Sequence, residues 1–114
     1  ASDVYKGQGA DSPPETFLRL ALIRAGLPEP ELQVAVDPAD PASPVVDLGY
    51  RGARLALQYD GAGHRTAQQQ ARDARRDAYC LEREWTTLRC TWEDQRAGFG
   101  RIVGLVRRRL ARTR

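Results

Sequence analysis

Two short apolar segments, residues 45–50 and 54–59, are separated by an Arg-Gly pair, and this arrangement most restricts how the chain can fold. Both segments are rich in residues that favour strands, and a glycine between them allows a tight turn. The pattern predicts two antiparallel strands, Val45 to Tyr50 and Arg54 to Tyr59, joined by a turn at Arg51-Gly52. The rest of the fold has to be arranged around this pair of strands.

Helical spacing and turn residues place the other elements. In chain order they are a helix that starts at Ser12-Pro-Pro-Glu15 and ends at Gly26, a strand from Leu32 to Val36, a helix from Thr66 to Arg83, a strand from Thr86 to Cys90 and a helix from Glu93 to Arg112. The buried stripes of the last two helices are expected at Ala71, Ala74, Ala78 and Leu81, and at Phe99, Ile102, Val103, Val106 and Leu110. The predicted order is αβββαβα, an α/β fold with one mixed sheet flanked by helices. Residues 1–11 are interpreted as a linker remnant and residues 12–114 as one domain.

Composition narrows the possible partners. The net charge is only +3, and no apolar run approaches the roughly 20 residues that cross a membrane. Without a signal peptide, we expect a cytoplasmic protein with no membrane partner. Seventeen of the eighteen basic residues are arginine, which binds phosphate in a bidentate manner, although a GC-rich genome produces the same bias. Cys80 and Cys90 are expected to be small buried residues of a reducing compartment.

Four polar residues are expected to meet where the two middle strands lie side by side. Side chains alternate between the faces of a strand, so Gln58 and Asp60 share a face, and the tight turn brings Asp47 close to them. His64 follows four residues after Asp60, and this set of oxygen and imidazole ligands suits Mg²⁺ or Mn²⁺. Asp60-Gly61 is also a good turn, and a lone histidine on a loop is usually only solvated. On spacing alone, a metal site and a structural role both remain open.

Short motifs in a fixed order connect this chain to a known family. They are Ser12-Pro-Pro-Glu15, Gly26-Leu27-Pro28-Glu29-Pro30, Gln33, Val46-Asp47-Leu48, Gln58-Tyr59-Asp60-Gly61, His64, Asp73-Ala-Arg-Arg76, Trp85 and Leu88-Arg89. Together they resemble the Vsr-like endonuclease domain family of uncharacterised bacterial proteins, which belongs to the PD-(D/E)XK superfamily. The resemblance extends from Ser12 to the C-terminus and implies a restriction-endonuclease-like core.

The resemblance implies a role for each matching site residue. Asp47 matches the first acid, which holds the metal, and Gln58 stands where the family usually has Glu. Asp60 stands where the superfamily has its Lys, as it does in this subfamily. His64 matches the histidine after the Asp-Gly turn, and Glu15 matches an acid of the first helix that can join the site. An amide at position 58 carries one negative charge less than a glutamate and therefore binds a cation more weakly.

Three further residues match the family outside the metal ligands. Asp73 and Arg76 match an Asp-x-x-Arg of the helix after the site, and Arg89 matches an arginine of the following strand. A structural ion pair between helix and strand is the alternative role for all three. The basic run at 107–109 has an alternative role as well, as a solvated helix end that complements the helix dipole.

The expected function is that of a Mg²⁺-dependent DNA endonuclease of reduced activity, with His64 as general acid or base and no small-molecule cofactor. The DNA backbone would be held by arginines of the last strand and helix, namely Arg89, Arg101, Arg108 and Arg112. The chain starts without methionine, so we expect a fused N-terminal domain, which the resemblance suggests is an antitoxin-type winged helix. The alternative function is a catalytically inactive DNA-binding or regulatory module of a toxin–antitoxin-like protein.

Overall fold

A computed structural model describes residues 13–60 and 66–112 of the chain. The helices and strands are α1 (Pro13–Arg24), β1 (Glu31–Ala35), β2 (Val45–Tyr50), β3 (Leu55–Tyr59), α2 (Ala67–Glu82), β4 (Thr86–Cys90), α3 (Trp92–Arg96) and α4 (Gly100–Arg112). The predicted linker at 1–11 and the candidate ligand His64 lie outside the described residues. None of the helices in the described ranges has the length and apolar character needed to cross a membrane.

The strands form a four-stranded mixed sheet in the order β1-β2-β3-β4. β2 is antiparallel to both β1 and β3, and β4 runs parallel to β3. A parallel pair needs a long crossover connection, and α2 lies in that connection. The observed architecture is therefore α/β with helices flanking a mixed sheet, as predicted.

The connection between β2 and β3 differs from the predicted two-residue turn. Residues Arg51–Ala53 form a 3-10 turn, and Arg54 leaves it in a left-handed conformation with φ 51°. For this reason β3 begins at Leu55 and not at Arg54. Gly49 is needed just before the turn, because a Cβ atom there would lie 3.0 Å from the carbonyl oxygen of Leu55.

Each face of the sheet packs against a different helical layer. On one face the buried strand residues Leu48, Leu55 and Leu57 pack with α1 and α4, through Leu18, Leu22, Ile102 and Val106. On the other face Ala56 and Trp85 pack with Cys80 of α2. Both cysteines are buried and free, as predicted, and burial raises the pKa of the Cys90 thiol to about 12. The sheet thus separates α2 from α4.

The last predicted helix is interrupted. Thr91 caps α3 and forms a capping box with Asp94, so a new helix starts directly after β4. Gly98 and Phe99 then both have positive φ, 76° and 63°, and end it after little more than one turn. Phe99 tolerates this conformation because its side chain is buried in the core beneath α1 and α4.

The predicted buried stripe of α2 is wrong. Ala71, Ala74 and Ala78 are exposed, and Leu81 is 76% exposed. The side of α2 that faces the sheet carries Asp73, Arg76, Asp77 and Cys80 instead. An apolar stripe failed as a guide here because the helix packs on apolar residues only near Cys80, while Gln58 and Arg89 make the rest of the surface beneath it polar.

Candidate functional site

Asp47 and Gln58 lie opposite each other on β2 and β3 and are joined by two hydrogen bonds. The backbone N–H of Asp47 donates to Oε1 of Gln58 over 3.0 Å, and Nε2 of Gln58 donates to Oδ2 of Asp47 over 3.2 Å. These partners fix the orientation of the amide, because only its oxygen can accept and only its nitrogen can donate. Gln58 is 8% exposed, so the pair is shielded from water on the α2 side of the sheet. Gln58 is therefore the hydrogen-bond partner that the half-buried carboxylate of Asp47 requires.

Arg89 extends this polar row onto the next strand. It is the register partner of Gln58 in the parallel ladder, and its guanidinium donates to Oδ2 of Asp77 on α2. Burial lowers the pKa of Arg89, but the bond to Asp77 and the charges of Asp77, Asp73 and Asp60 outweigh burial and raise it. Asp60 is therefore close to this guanidinium. Its backbone N–H donates to the Cys90 carbonyl over 2.7 Å and continues the ladder beyond β3.

The helix contributes a second ion pair to the site. Nη2 of Arg76 lies 3.1 Å from Oδ1 of Asp73, and both side chains are mostly buried. We call the whole set the polar cluster, and its members are Asp47, Gln58, Asp60, Asp73, Arg76, Asp77 and Arg89. Within the described residues, Nε of Arg76 and Oδ1 of Asp77 are buried without a hydrogen-bond partner. Such unsatisfied groups cost stability, which is typical of positions selected for function.

The side chains present do not fit a metal ion held by Gln58. Oε1 of Gln58 already accepts the Asp47 N–H group with one of its two lone pairs, and this bond fixes the direction of the amide. The amide nitrogen, which carries partial positive charge, lies on the Asp47 carboxylate where a cation would have to bind. Across the described ranges, no group of three or more His, Cys, Asp or Glu side chains is arranged to hold a metal. Two of the carboxylates, Asp73 and Asp77, are instead paired with guanidiniums, and the Asp47 carboxylate accepts a hydrogen bond from an amide.

Other predicted site residues lie at different distances from this cluster. Glu15 is in the first turn of α1, on the helical layer that covers the opposite face of the sheet. His64, for which a catalytic role was predicted, lies outside the described residues. Asp73 and Arg76 form an ion pair within α2, while Arg89 links the helix to the strand through Asp77. The structural role considered for these three residues agrees with this arrangement.

The predicted DNA-contacting arginines fall into two groups. Arg89 and Arg101 are already bonded, Arg89 to Asp77 and Arg101 to Asp94 by a bidentate pair at 2.7 and 2.9 Å. Arg101 also donates to the Arg89 carbonyl oxygen, and it holds the pKa of buried Asp94 near 2 through this hydrogen bond. Arg101 therefore contributes to the stability of the fold, which the sequence interpretation did not foresee.

The second group, Arg108 and Arg112, is exposed on α4. Neither residue forms an ion pair or hydrogen bond with another residue of the described part of the chain. However, α4 packs on the face of the sheet opposite the polar cluster. A phosphate bound there would be separated from Asp47 by the sheet itself.

Several residues around the site were missed by the sequence interpretation. Asp77 follows Asp73 by four positions and so lies on the same side of α2, a spacing that could have identified it. Asp94 is three residues after Thr91, which is the spacing of a capping box. Arg72 and Arg75 are exposed on α2, on the same layer as the polar cluster. No sequence pattern distinguishes these two from the many other arginines.

Comparison with curated proteins identifies two similar chains. They are uncharacterized proteins of Mycobacterium tuberculosis, from strains CDC 1551 and H37Rv, each 33% identical to this chain over 106 residues. The aligned region covers 92% of this chain but 39% of each mycobacterial protein. The chain therefore spans well under half the length of these relatives. No protein-family model and no solved structure matches the chain.

Proposed function

We propose that this chain is a DNA-binding domain with a nuclease-like αβββαβα fold, in which the Asp47–Gln58 pair closes the place of the metal ligands. The observation that carries this proposal is that both polar atoms of the Gln58 amide are bonded to Asp47. A four-stranded mixed sheet flanked by helices supports the proposed fold. Because the chain spans 39% of its relatives, the proposal concerns this domain and not the activity of a longer protein.

The closed pair is costly to open. Turning the Gln58 amide away from Asp47 breaks both hydrogen bonds of a side chain that is 8% exposed, and each buried group left unsatisfied costs about 1–3 kcal/mol. This cost favours a domain that retains the fold without a metal on Gln58. The exposed arginines of α2 and α4 are the residues that would contact a phosphodiester backbone.

Metal-dependent DNA endonuclease activity with Mg²⁺ or Mn²⁺ is the second candidate function. The observation in its favour is that Asp47, Gln58 and Asp60 gather on the α2 side of the sheet, near Arg89. This is the gathering that the resemblance implies for the catalytic residues. For this candidate to hold, the Gln58 amide would have to leave Asp47.

Two assays on the same protein decide between these functions. DNA binding is measured by fluorescence anisotropy of labelled DNA, and cleavage is measured as nicking of supercoiled plasmid with Mg²⁺ or Mn²⁺. We expect binding that weakens as salt rises, since phosphate contacts release counterions, and no nicking above the metal-only blank. Nicking by the wild type that disappears in Asp47→Asn supports the endonuclease instead. A protein that neither binds nor nicks at low salt contradicts both functions.

A further inference from the structure

A groove runs between α2 and the start of β2. We call it the α2 groove: it is lined by Arg72, Arg75 and Arg76 and by Ala42, Pro44, Val45, Ala78, Tyr79 and Glu82. All of these residues lie within the described ranges. The groove was not anticipated from the sequence, because it depends on how the polar side of α2 is turned toward the sheet.

The charge of the α2 groove is positive. Its three arginines are opposed by one acidic lining residue, Glu82. Neither Arg72 nor Arg75 forms an ion pair or hydrogen bond with another residue of the described ranges. Positions three apart on a helix are neighbours, so the guanidiniums of Arg72 and Arg75 lie side by side, while Arg76 is paired with Asp73. Two neighbouring guanidiniums without an ion-pair partner fit a ligand that carries successive negative charges.

The floor of the groove is apolar and contains a fixed aromatic ring. Val45 is 49% exposed, although it begins a strand of the sheet. The Tyr79 hydroxyl donates to Oδ2 of Asp40 over 2.6 Å, and the Arg83 guanidinium lies 3.6 Å from the centre of the Tyr79 ring. The ring is thus held in place before any ligand arrives. A double helix would bury nothing on such a floor, whereas the bases of a single strand can cover apolar and aromatic surface.

The α2 groove is connected to the polar cluster. Val45 and Asp47 are two residues apart on β2 and therefore lie on the same face of the sheet. Arg76 lines the groove and is also paired with Asp73 in the cluster. A strand held in the groove is consequently directed toward Asp47 and Gln58. The arginines of α4 are on the other side of the sheet and take no part in this path.

We propose that the α2 groove binds a single strand of nucleic acid, with phosphates on Arg72 and Arg75 and bases against Val45 and Tyr79. This rests on the proposed function, DNA binding, and names the strand state and the surface that binds it. Charge complementarity argues for a polyanion, and the apolar floor argues for exposed bases.

The test compares single-stranded and duplex DNA in wild type and two matched variants. Fluorescence anisotropy is measured with oligothymidylate of about 15 nucleotides, and with a duplex of the same length, at about 50 and 200 mM salt. One variant carries Arg72→Ala and Arg75→Ala. The control carries Arg108→Ala and Arg112→Ala, which removes the same charge from α4. All four arginines are exposed, so circular dichroism should show both variants folded.

We expect the wild type to bind the single strand more tightly than the duplex. The α2 variant should lose about tenfold or more in affinity, and its salt slope should fall by about 1.4, which is 0.7 for each of two phosphates. The control should lose less than about threefold. Preference for the duplex, or equal losses in both variants, overturns the groove assignment while DNA binding stands. Absence of binding to either DNA at low salt overturns DNA binding itself. Tighter binding of polyglutamate than of DNA indicates an acidic protein partner and overturns both the groove assignment and DNA binding.

Discussion

The substitution Gln58→Glu tests the central pair most directly. The new carboxylate can still accept the Asp47 N–H bond, but it can no longer donate to Oδ2 of Asp47. Loss of a hydrogen bond to a charged acceptor costs about 1.5–3 kcal/mol. Two carboxylates about 4 Å apart repel by about 4 kcal/mol at an effective dielectric constant of about 20. Uptake of a proton can relieve this repulsion only as the pH falls, so we expect the free energy of unfolding to fall by about 2–4 kcal/mol at neutral pH.

The assay is urea unfolding followed by circular dichroism, with and without Mg²⁺, at neutral and mildly acidic pH. Acid should restore part of the lost stability in Gln58→Glu, because a protonated carboxyl can again donate to its neighbour. Mg²⁺ should also stabilise this variant, since two adjacent carboxylates now bind the cation in the folded state only. The wild type should show neither response in this part of the pH range.

The double variant Asp47→Asn with Gln58→Glu is the matched control. It exchanges amide and carboxylate across the same two strands, so an amide nitrogen again faces a carboxylate oxygen. Its stability should lie above that of Gln58→Glu alone, with a coupling free energy of about 1–3 kcal/mol. If Gln58→Glu is as stable as the wild type and indifferent to Mg²⁺, the pair does not close the site as described.

Three further predictions concern stability. Arg101→Ala should lower the free energy of unfolding by about 1–3 kcal/mol in urea titrations, because it leaves the carboxylate of buried Asp94 without its bidentate partner. Arg101→Lys should recover only part of this loss. A change below about 0.5 kcal/mol in Arg101→Ala would contradict the pairing. The hydrogen bond from Arg101 lowers the pKa of Asp94 from 3.8 to about 2, so the stability it contributes is complete above pH 3.8 and lost as the pH falls toward 2. Over this pH range the thermal unfolding temperature should fall more steeply in the wild type than in Arg101→Ala. Parallel curves for the two proteins would refute the assignment. Leu57→Ala should cost about 2–5 kcal/mol and Leu81→Ala less than about 0.5 kcal/mol, since Leu57 is fully buried while Leu81 is 76% exposed; equal losses by urea titration would show that α2 packs by the apolar side first expected.

Strand positions could be predicted from the sequence because short-range rules govern them. β2 and β4 begin and end where alternation and β-branched residues placed them, at Val45–Tyr50 and Thr86–Cys90. β1 lies one residue earlier than expected, at Glu31–Ala35. The proximity of Asp47 to Gln58 also followed from strand alternation and a short connection. These features depend on neighbours in the chain, which a sequence displays directly.

The side of α2 that faces the sheet could not be predicted in this way. A search for apolar stripes assumes that a helix packs on an apolar surface along its length, whereas Gln58 and Arg89 make part of the surface beneath α2 polar. The break before α4 depends on the positive φ of Phe99, whose side chain packs in the core, and local sequence preferences do not predict this conformation. The periodic arrangement of arginines on the last helix suggested an exposed charged face, but the side chain of Arg101 is bonded to buried Asp94. In each case a tertiary contact overrides the local pattern.

The attachment of α2 has a consequence for local motion. Residues 67–72 are exposed on every side, and the apolar anchor of the helix, Cys80, lies near its other end. Amide protons in the first turns should therefore exchange with solvent through partial openings, at a lower free energy than global unfolding requires. Arg72 and Arg75 lie on or beside those turns, so a ligand held by them must first restrict this motion. The entropy lost in that ordering makes the affinity of the domain depend on the stiffness of one helix as well as on the contacts it offers.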